Sequence, residues 1–404
     1  KFFQHLFRPK FLNLFLRSTS SLLKFSFHLI LVSLLTFEIY SYYAVNIALV
    51  NISMVILGLE YYTFSTRKIA SVKIKKVGGF IINQLAILFL MLLIFILIFG
   101  FIINYQQNFK LSLYIVIFYI ISEQLIRDIM RILISRNMQI QSSFVQMFYS
   151  LIPVLIVLLI FLKNYKLDLL RVFEILSLSN LLISLFCFYL YRNMFFPIRF
   201  SINLIYRGVK TSWKYVFISF SNRITTNFDK IVLLNVVPAN ILGAYSFLMS
   251  MGNMLNVIID SLVISFAFPK LARLHYRGHS KKFKEKYYNY FKELILYILL
   301  TIILICVFWL VDFKSFRSIM DNDLVLIFAI IFFITNSINI FLQTNLYSRK
   351  LDNLILFSTI PLFLLLSIKF FIDMFNFDSI LIIVLLFFSI SNLISIIIKI
   401  YYQI

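Results

Sequence analysis

From Ile81 to Ile103 the chain runs without one charged side chain, and that stretch restricts the fold more than any other. Roughly 20 consecutive apolar residues, wound as a helix, match the hydrocarbon thickness of a bilayer. Similar runs recur at Phe291–Val311 and Leu354–Phe371. Twelve apolar segments can be marked, near 20–40, 42–64, 78–103, 111–133, 142–162, 170–191, 212–235, 241–268, 288–311, 322–346, 353–372 and 379–402. Only 13% of the residues are charged, about half the share of an ordinary soluble domain. Eight Gly and six Pro in 404 residues leave no Gly- or Pro-rich linker and no place for a soluble second domain. The sequence predicts an all-α polytopic membrane protein.

Formal net charge is +22, and where the cations fall matters more than their number. Arg67, Lys68, Lys73, Lys75 and Lys76 fill the second connection; Arg192, Arg199, Arg207, Lys210 and Lys214 fill the sixth. The eighth connection runs from Lys270 to Lys292 with six further Lys and Arg between them. Basic connections alternate with short, poorly charged ones. By the positive-inside rule both termini are expected in the cytoplasm, with an even number of spans. The charge therefore reads as topology plus contact with anionic lipid, not as nucleic-acid binding. A Phe-, Ile-, Lys-, Asn- and Tyr-rich composition also follows from an AT-rich genome.

The chain begins with Lys rather than Met, and Lys1–Lys24 is basic and amphipathic with no small-residue cleavage pattern after it. It is expected to be a retained surface segment leading into the first span. Cys187 and Cys306 each stand alone in apolar sequence and read as small core residues. His275 and His279 lie four apart in the basic eighth connection without nearby carboxylates, so a solvated loop is expected and no metal site. There is no H-E-x-x-H motif, no Gly-rich phosphate loop and no large external loop to carry catalysis. No enzyme activity and no cofactor are expected.

The polar residues inside the spans ask for a function. Ser219, Arg223, Asn227 and Lys230 fall on one helical stripe, with Asn222, Thr226 and Asp229 beside it. A charge left in lipid at mid-span costs ~2.5–3.5 kcal/mol on an insertion scale, so this face must meet water, partners or substrate. Asn253, Asn256 and Asp260 form a stripe on the eighth segment, and Asn46, Ser53 and Glu60 on the second. Lys24 and His28 lie on the first, Asn336, Asn339 and Gln343 on the tenth. Together these point to a central polar cavity between two halves of six spans, 1–198 and 199–404. The amides serve equally well as interhelical glue, and Asp229 as a neutraliser of Arg223 or Lys230. Glu123, Arg127 and Arg131, at i, i+4 and i+8, read as a salt-bridged surface cluster.

Gly58–Lys68 (GLEYYTFSTRK) and Phe220–Met251 (FSNRITTNFDKIVLLNVVPANILGAYSFLMSM), with FPKLARL at Phe268–Leu274, resemble passages of Wzx-type O-antigen flippases. These are polysaccharide transporters of the multidrug/oligosaccharidyl-lipid/polysaccharide exporter superfamily. The resemblance implies two six-helix bundles related by a pseudo-two-fold axis, a MATE-like fold, and alternating access through a cationic cavity. It implies an undecaprenyl-diphosphate-linked oligosaccharide as substrate, the bacterial inner membrane as location, and other polysaccharide-assembly proteins as partners. Arg223, Lys230, Asn227, Lys24 and Asn256 would bind substrate; Asp229, Asp260 and Glu60 would balance charge or hold a coupling proton or sodium ion. Two alternatives stay open: a cation-coupled multidrug exporter of the same fold, and a membrane-bound polysaccharide-assembly enzyme.

Overall fold

The computed structural model describes residues 9–69, 77–103, 113–136, 138–163, 165–196, 200–234, 236–259, 280–310, 323–349, 351–362 and 377–401, together with Val263, Ala267, Lys270, Leu271, Leu274, His275, Gly278 and His279. Within them are fourteen α-helices and no strand. They are α1 Pro9–Leu34, α2 Phe37–Gly58, α3 Tyr61–Ile69, α4 Val77–Ile103, α5 Leu113–Ser135, α6 Gln139–Leu162 and α7 Leu169–Leu190. There follow α8 Arg192–Phe195, α9 Ile202–Leu233, α10 Ala239–Ile259, α11 Ser280–Leu310, α12 Asp323–Ser348, α13 Asp352–Thr359 and α14 Phe377–Tyr401.

Each of the twelve apolar segments overlaps at least one helix among the described residues. Seven helices are long and apolar enough to cross a membrane by length and composition. Outside that set stand α5, with Glu123, Arg127, Asp128 and Arg131, and α9, with Arg223, Asp229 and Lys230 near its end. Caps set several boundaries. The Thr36 hydroxyl accepts from Ile39 N at 3.3 Å, with Glu38 in the first turn of α2, and the Asp168 carboxylate accepts from Arg171 N at 2.9 Å at the start of α7.

The chain divides into two compact units, Lys1–Phe220 and Ser221–Ile404. The division falls inside α9, downstream of the 198/199 boundary read from sequence.

In the first unit the part of the amphipathic start up to Arg8 lies outside the described residues; from Pro9 it is helix, and its polar positions form a ladder against α6 in place of a free surface. Asn13 bonds Ser143, Arg17 Nε donates to Ser143 Oγ at 3.2 Å, and Ser20 Oγ lies 2.7 Å from Ser150 Oγ. Small hydroxyl side chains let two helices approach closely and pair their polar atoms; the amphipathicity seen in the sequence serves this contact.

The second expected span is also revised. It is not continuous through residue 64: α2 ends at Gly58, and Leu59 and Glu60 both take left-handed conformations (φ 44° and 49°) before α3 begins. Left-handed backbone is unfavourable for side chains with a Cβ, so Gly58 marks the place while its two neighbours carry the strain. Glu60 consequently leaves the helical stripe of Asn46 and Ser53 and is buried at the bend. Behind it Tyr61, Phe64, Phe80, Ile126 and Cys187 belong to one hydrophobic core.

In the second unit α12 and α14 run parallel in a fixed register. Phe332 meets the Phe388 ring edge-on at 5.8 Å, and Ser395 Oγ donates to Asn339 Oδ1 at 3.1 Å. Both pairs share one sequence offset, which sets Asn336 level with Asn392. Gly252 on α10 faces Phe333 so closely that a Cβ there would lie 1.9 Å from the ring.

Candidate functional site

Among the described residues, buried charge gathers around Glu123 in the first unit and around Asp229 in the second, with Glu60, Asp128 and Lys399 buried apart from them. In the first, Glu123 is 1% exposed and its carboxylate is fully engaged. Oε1 accepts from Arg127 Nε at 2.7 Å and Tyr149 Oη at 2.9 Å; Oε2 accepts from Asn180 Nδ2 at 2.8 Å. Arg127 reaches on to Asn51 Oδ1 at 3.3 Å, and Lys24 Nζ stands 4.8 Å from the centre of the Tyr149 ring. These groups border a cavity of about 150 Å³, also lined by His28, Tyr43, Asn51 and Tyr119. His28 Nδ1 and Tyr40 Oη are 3.1 Å apart beside it.

The expected surface cluster on α5 is thus corrected. Glu123 and Arg127 turn into the unit, because Tyr149 on α6 and Asn180 on α7 supply the donors that a buried carboxylate needs. Asp128 pairs separately with Arg131 at 3.2 Å, and the Arg131 guanidinium lies 3.4 Å over the Tyr62 ring. Since Arg127 already balances Glu123, Lys24 adds a net cation to the cavity. No carboxylate lies within ion-pair distance of it among the described residues.

In the second unit Asp229 is 2% exposed and Lys230 7%. Asp229 Oδ2 accepts from Tyr245 Oη, on α10, at 2.8 Å, while Lys230 Nζ lies 3.9 Å from Oδ1 and donates to the Thr226 carbonyl at 3.1 Å. Asn227 Nδ2 turns back to the Arg223 carbonyl at 3.0 Å and to Thr226 Oγ1 at 2.7 Å. Asn222 Nδ2 reaches Gln343 Oε1 at 3.5 Å, linking α9 to α12. Further along α12, Lys399 of α14 is fully buried and donates to the Asn339 carbonyl at 3.3 Å and to Asn339 Oδ1. Asn339 Nδ2 donates to Asn392 Oδ1 at 2.9 Å.

Asp229, Lys230 and Asn227 therefore share one neighbourhood on α9, where Arg223 is half-buried. Lys24 lines the cavity of the first unit, and Glu60 sits at its α2–α3 bend. Asn256 is on α10, with its side chain outside the described residues, and Asp260 lies wholly outside them. Sequence reasoning passed over Tyr149 and Asn180, which stand 26 and 57 positions from Glu123 and carry no local pattern. It counted Lys399 as one more topological charge, although its place seven residues after Asn392 on a helix face was a usable signal.

No family model and no curated protein matches this sequence. Solved structures do. An outward-facing multidrug resistance MATE family transporter of the MOP superfamily aligns over 97% of this chain and 93% of its own, at 13% identity and a TM-score of 0.65. An inward-facing MATE family transporter aligns over 98% of both chains, at 11% identity and a TM-score of 0.66. A mutant of the Vibrio cholerae MATE transporter VcmN aligns over 97% and 96%, at 10% identity and a TM-score of 0.61.

The chain has the MATE fold.

That is the exporter fold expected from the resemblance, and it extends over nearly the whole chain. At such identity the likeness is one of fold, and function must be argued from the residues.

Proposed function

We propose that this protein is a multi-pass transporter of the bacterial cytoplasmic membrane that exports small amphipathic molecules by alternating access, driven by a cation gradient. The observation that carries the reading is the fold likeness to an outward-facing and an inward-facing MATE transporter alike, with TM-scores of 0.65 and 0.66. Asp229 is the first coupling candidate, with Asp260 and Glu60 behind it. A buried carboxylate held by one tyrosine and flanked by an ammonium is costly to keep charged, so exchange of a proton or sodium ion there can bias a two-state equilibrium. Arg223, Lys230, Asn227, Lys24 and Asn256 are assigned to substrate.

A second reading rests on a specific observation: the cavity of the first unit carries Lys24 and Arg127 against one carboxylate that is already saturated. A net-cationic cavity suits an anionic headgroup, and so a diphosphate-linked oligosaccharide flippase working with polysaccharide-assembly proteins.

Reconstitution in proteoliposomes tests both. With an imposed proton or sodium gradient, a fluorescent organic cation is expected to accumulate, and Asp229→Asn to abolish the gradient dependence. Failure to move the cation, with gradient-independent translocation of a diphosphate-linked glycolipid that Lys24→Ala stops, would replace the first reading by the second.

A further inference from the structure

The helix α9 is 32 residues long, about 48 Å at 1.5 Å per residue, and so overhangs a hydrocarbon core of about 30 Å. Its buried charged residues, Asp229 and Lys230, lie near its C-terminal end. The overhang is therefore the N-terminal part, and its surface is sharply divided. Ile202, Tyr206, Trp213 and Phe217 are 71, 66, 48 and 48% exposed. They follow i, i+4, i+11 and i+15, a single stripe on a helix. Arg207, Lys210 and Lys214 run along the flank of that stripe. The third face packs on α3: Gly208 lies against Tyr61, where a Cβ would come within 2.0 Å of the ring, and Thr63 Oγ1 is 3.2 Å from Ser212 Oγ.

Between the cationic flank and α3 opens a cavity of about 710 Å³, lined by Thr63, Phe64, Lys68, Leu204, Arg207, Lys210, Thr211 and Tyr215. Of the eight described residues that line it, three are cations and none is acidic. Both threonine hydroxyls already donate to backbone carbonyls, Thr63 to Glu60 and Thr211 to Arg207, so the groups suited to hold an anion are Arg207 and Lys210, with Lys68 adding positive charge. An exposed Trp and Tyr beside Lys and Arg is the residue pattern of the bilayer's headgroup level. The Gly208–Tyr61 contact fixes the distance between the cavity walls, which makes this a formed pocket and not a loose patch of surface charge.

We infer that this pocket binds the phosphate of an anionic membrane lipid, its headgroup held by Arg207 and Lys210 in the field of Lys68, with the acyl chains leaving past Trp213 and Phe217 toward the hydrocarbon core. Phosphate geometry suits the guanidinium fork of Arg207, and each cation near a membrane surface adds about 1 kcal/mol of attraction, roughly fivefold in binding.

Trp213 reports on the site directly. The chain has two tryptophans, so Trp309→Phe leaves Trp213 as the single fluorophore. Proteoliposomes of this variant are doped with brominated phosphatidylglycerol or brominated phosphatidylcholine, whose bromines quench nearby indole. The wild-type pocket is expected to favour the anionic lipid at least about tenfold, and Lys68→Gln/Arg207→Gln/Lys210→Gln to bring the ratio near one. The matched loss of charge in Lys281→Gln/Lys282→Gln/Lys284→Gln, at exposed positions, is expected to leave the preference intact. Equal quenching by both lipids in the wild type, or a preference that survives the pocket substitutions or falls equally in the control, overturns the assignment. Excess inorganic phosphate that abolishes the preference assigns the pocket to soluble phosphate and overturns the lipid. If the triple variant does not fold by size exclusion, Lys210→Gln alone is read on the same scale, with about a fivefold loss expected and no loss overturning the site.

Discussion

Tyr245 Oη donates to Asp229 Oδ2 at 2.8 Å, joining two helices across the short turn between them. Both side chains are almost completely buried. The pair adds to the partner that the sequence offered for Asp229, a cation on its own helix: Lys230 Nζ stands 3.9 Å from Oδ1, within ion-pair distance, and also donates to the Thr226 carbonyl. Tyr245→Phe leaves a buried carboxylate short of its donor and is expected to cost about 1–3 kcal/mol. Thermal unfolding in detergent reads this as a lower midpoint, and adding Asp229→Asn to the Tyr245→Phe chain is expected to recover most of it, since the charge that needed the donor is gone.

Glu123 is buried and pairs at 2.7 Å with Arg127, whose side chain is 25% exposed. Removing the cation strands the buried carboxylate, so Arg127→Ala is expected to cost about 3–5 kcal/mol. The double change Glu123→Gln/Arg127→Met, which removes both charges, is expected to cost clearly less than the single one. A double-mutant cycle on unfolding midpoints measures the coupling, and additive effects would show that the pair is not energetically joined.

Lys399 and Asn339 should behave asymmetrically. Among the described residues, both acceptors of the buried ammonium belong to Asn339. Asn339→Leu strips the side-chain acceptor and is expected to cost about 3 kcal/mol or more. Lys399→Met removes the charge with the need for it and is expected to cost less than about 1.5 kcal/mol. Chemical denaturation of the two single variants and the double ranks them.

Gly252 is expected to reject even one methyl group. With a Cβ placed 1.9 Å from the Phe333 ring, Gly252→Ala should destabilise by about 1–3 kcal/mol through overpacking. Phe333→Leu in the same chain is expected to return part of that loss, which a shift of the unfolding midpoint checks.

Much of this architecture was legible in the sequence because apolar run length is a local property. Each of the twelve marked segments overlaps a helix among the described residues, and Asn222, Thr226 and Asp229 all lie on α9. The end of α2 was not legible: the marked segment runs on to residue 64, since the left-handed residues are Leu59 and Glu60 and neither side chain announces that conformation.

What the sequence by itself determined, then, is that this chain is a multi-pass helical protein with charges inside its apolar helices, because hydrophobic periodicity and the cost of charge in lipid act residue by residue. Only the tertiary structure decided how those charges are satisfied: Glu123 by Tyr149 and Asn180, Asp229 by Tyr245, Lys399 by Asn339. A hydrogen bond of 2.8 Å depends on which helix faces arrive side by side and in what register. In an all-helical chain those neighbours come from dozens of residues away, and no local pattern records them.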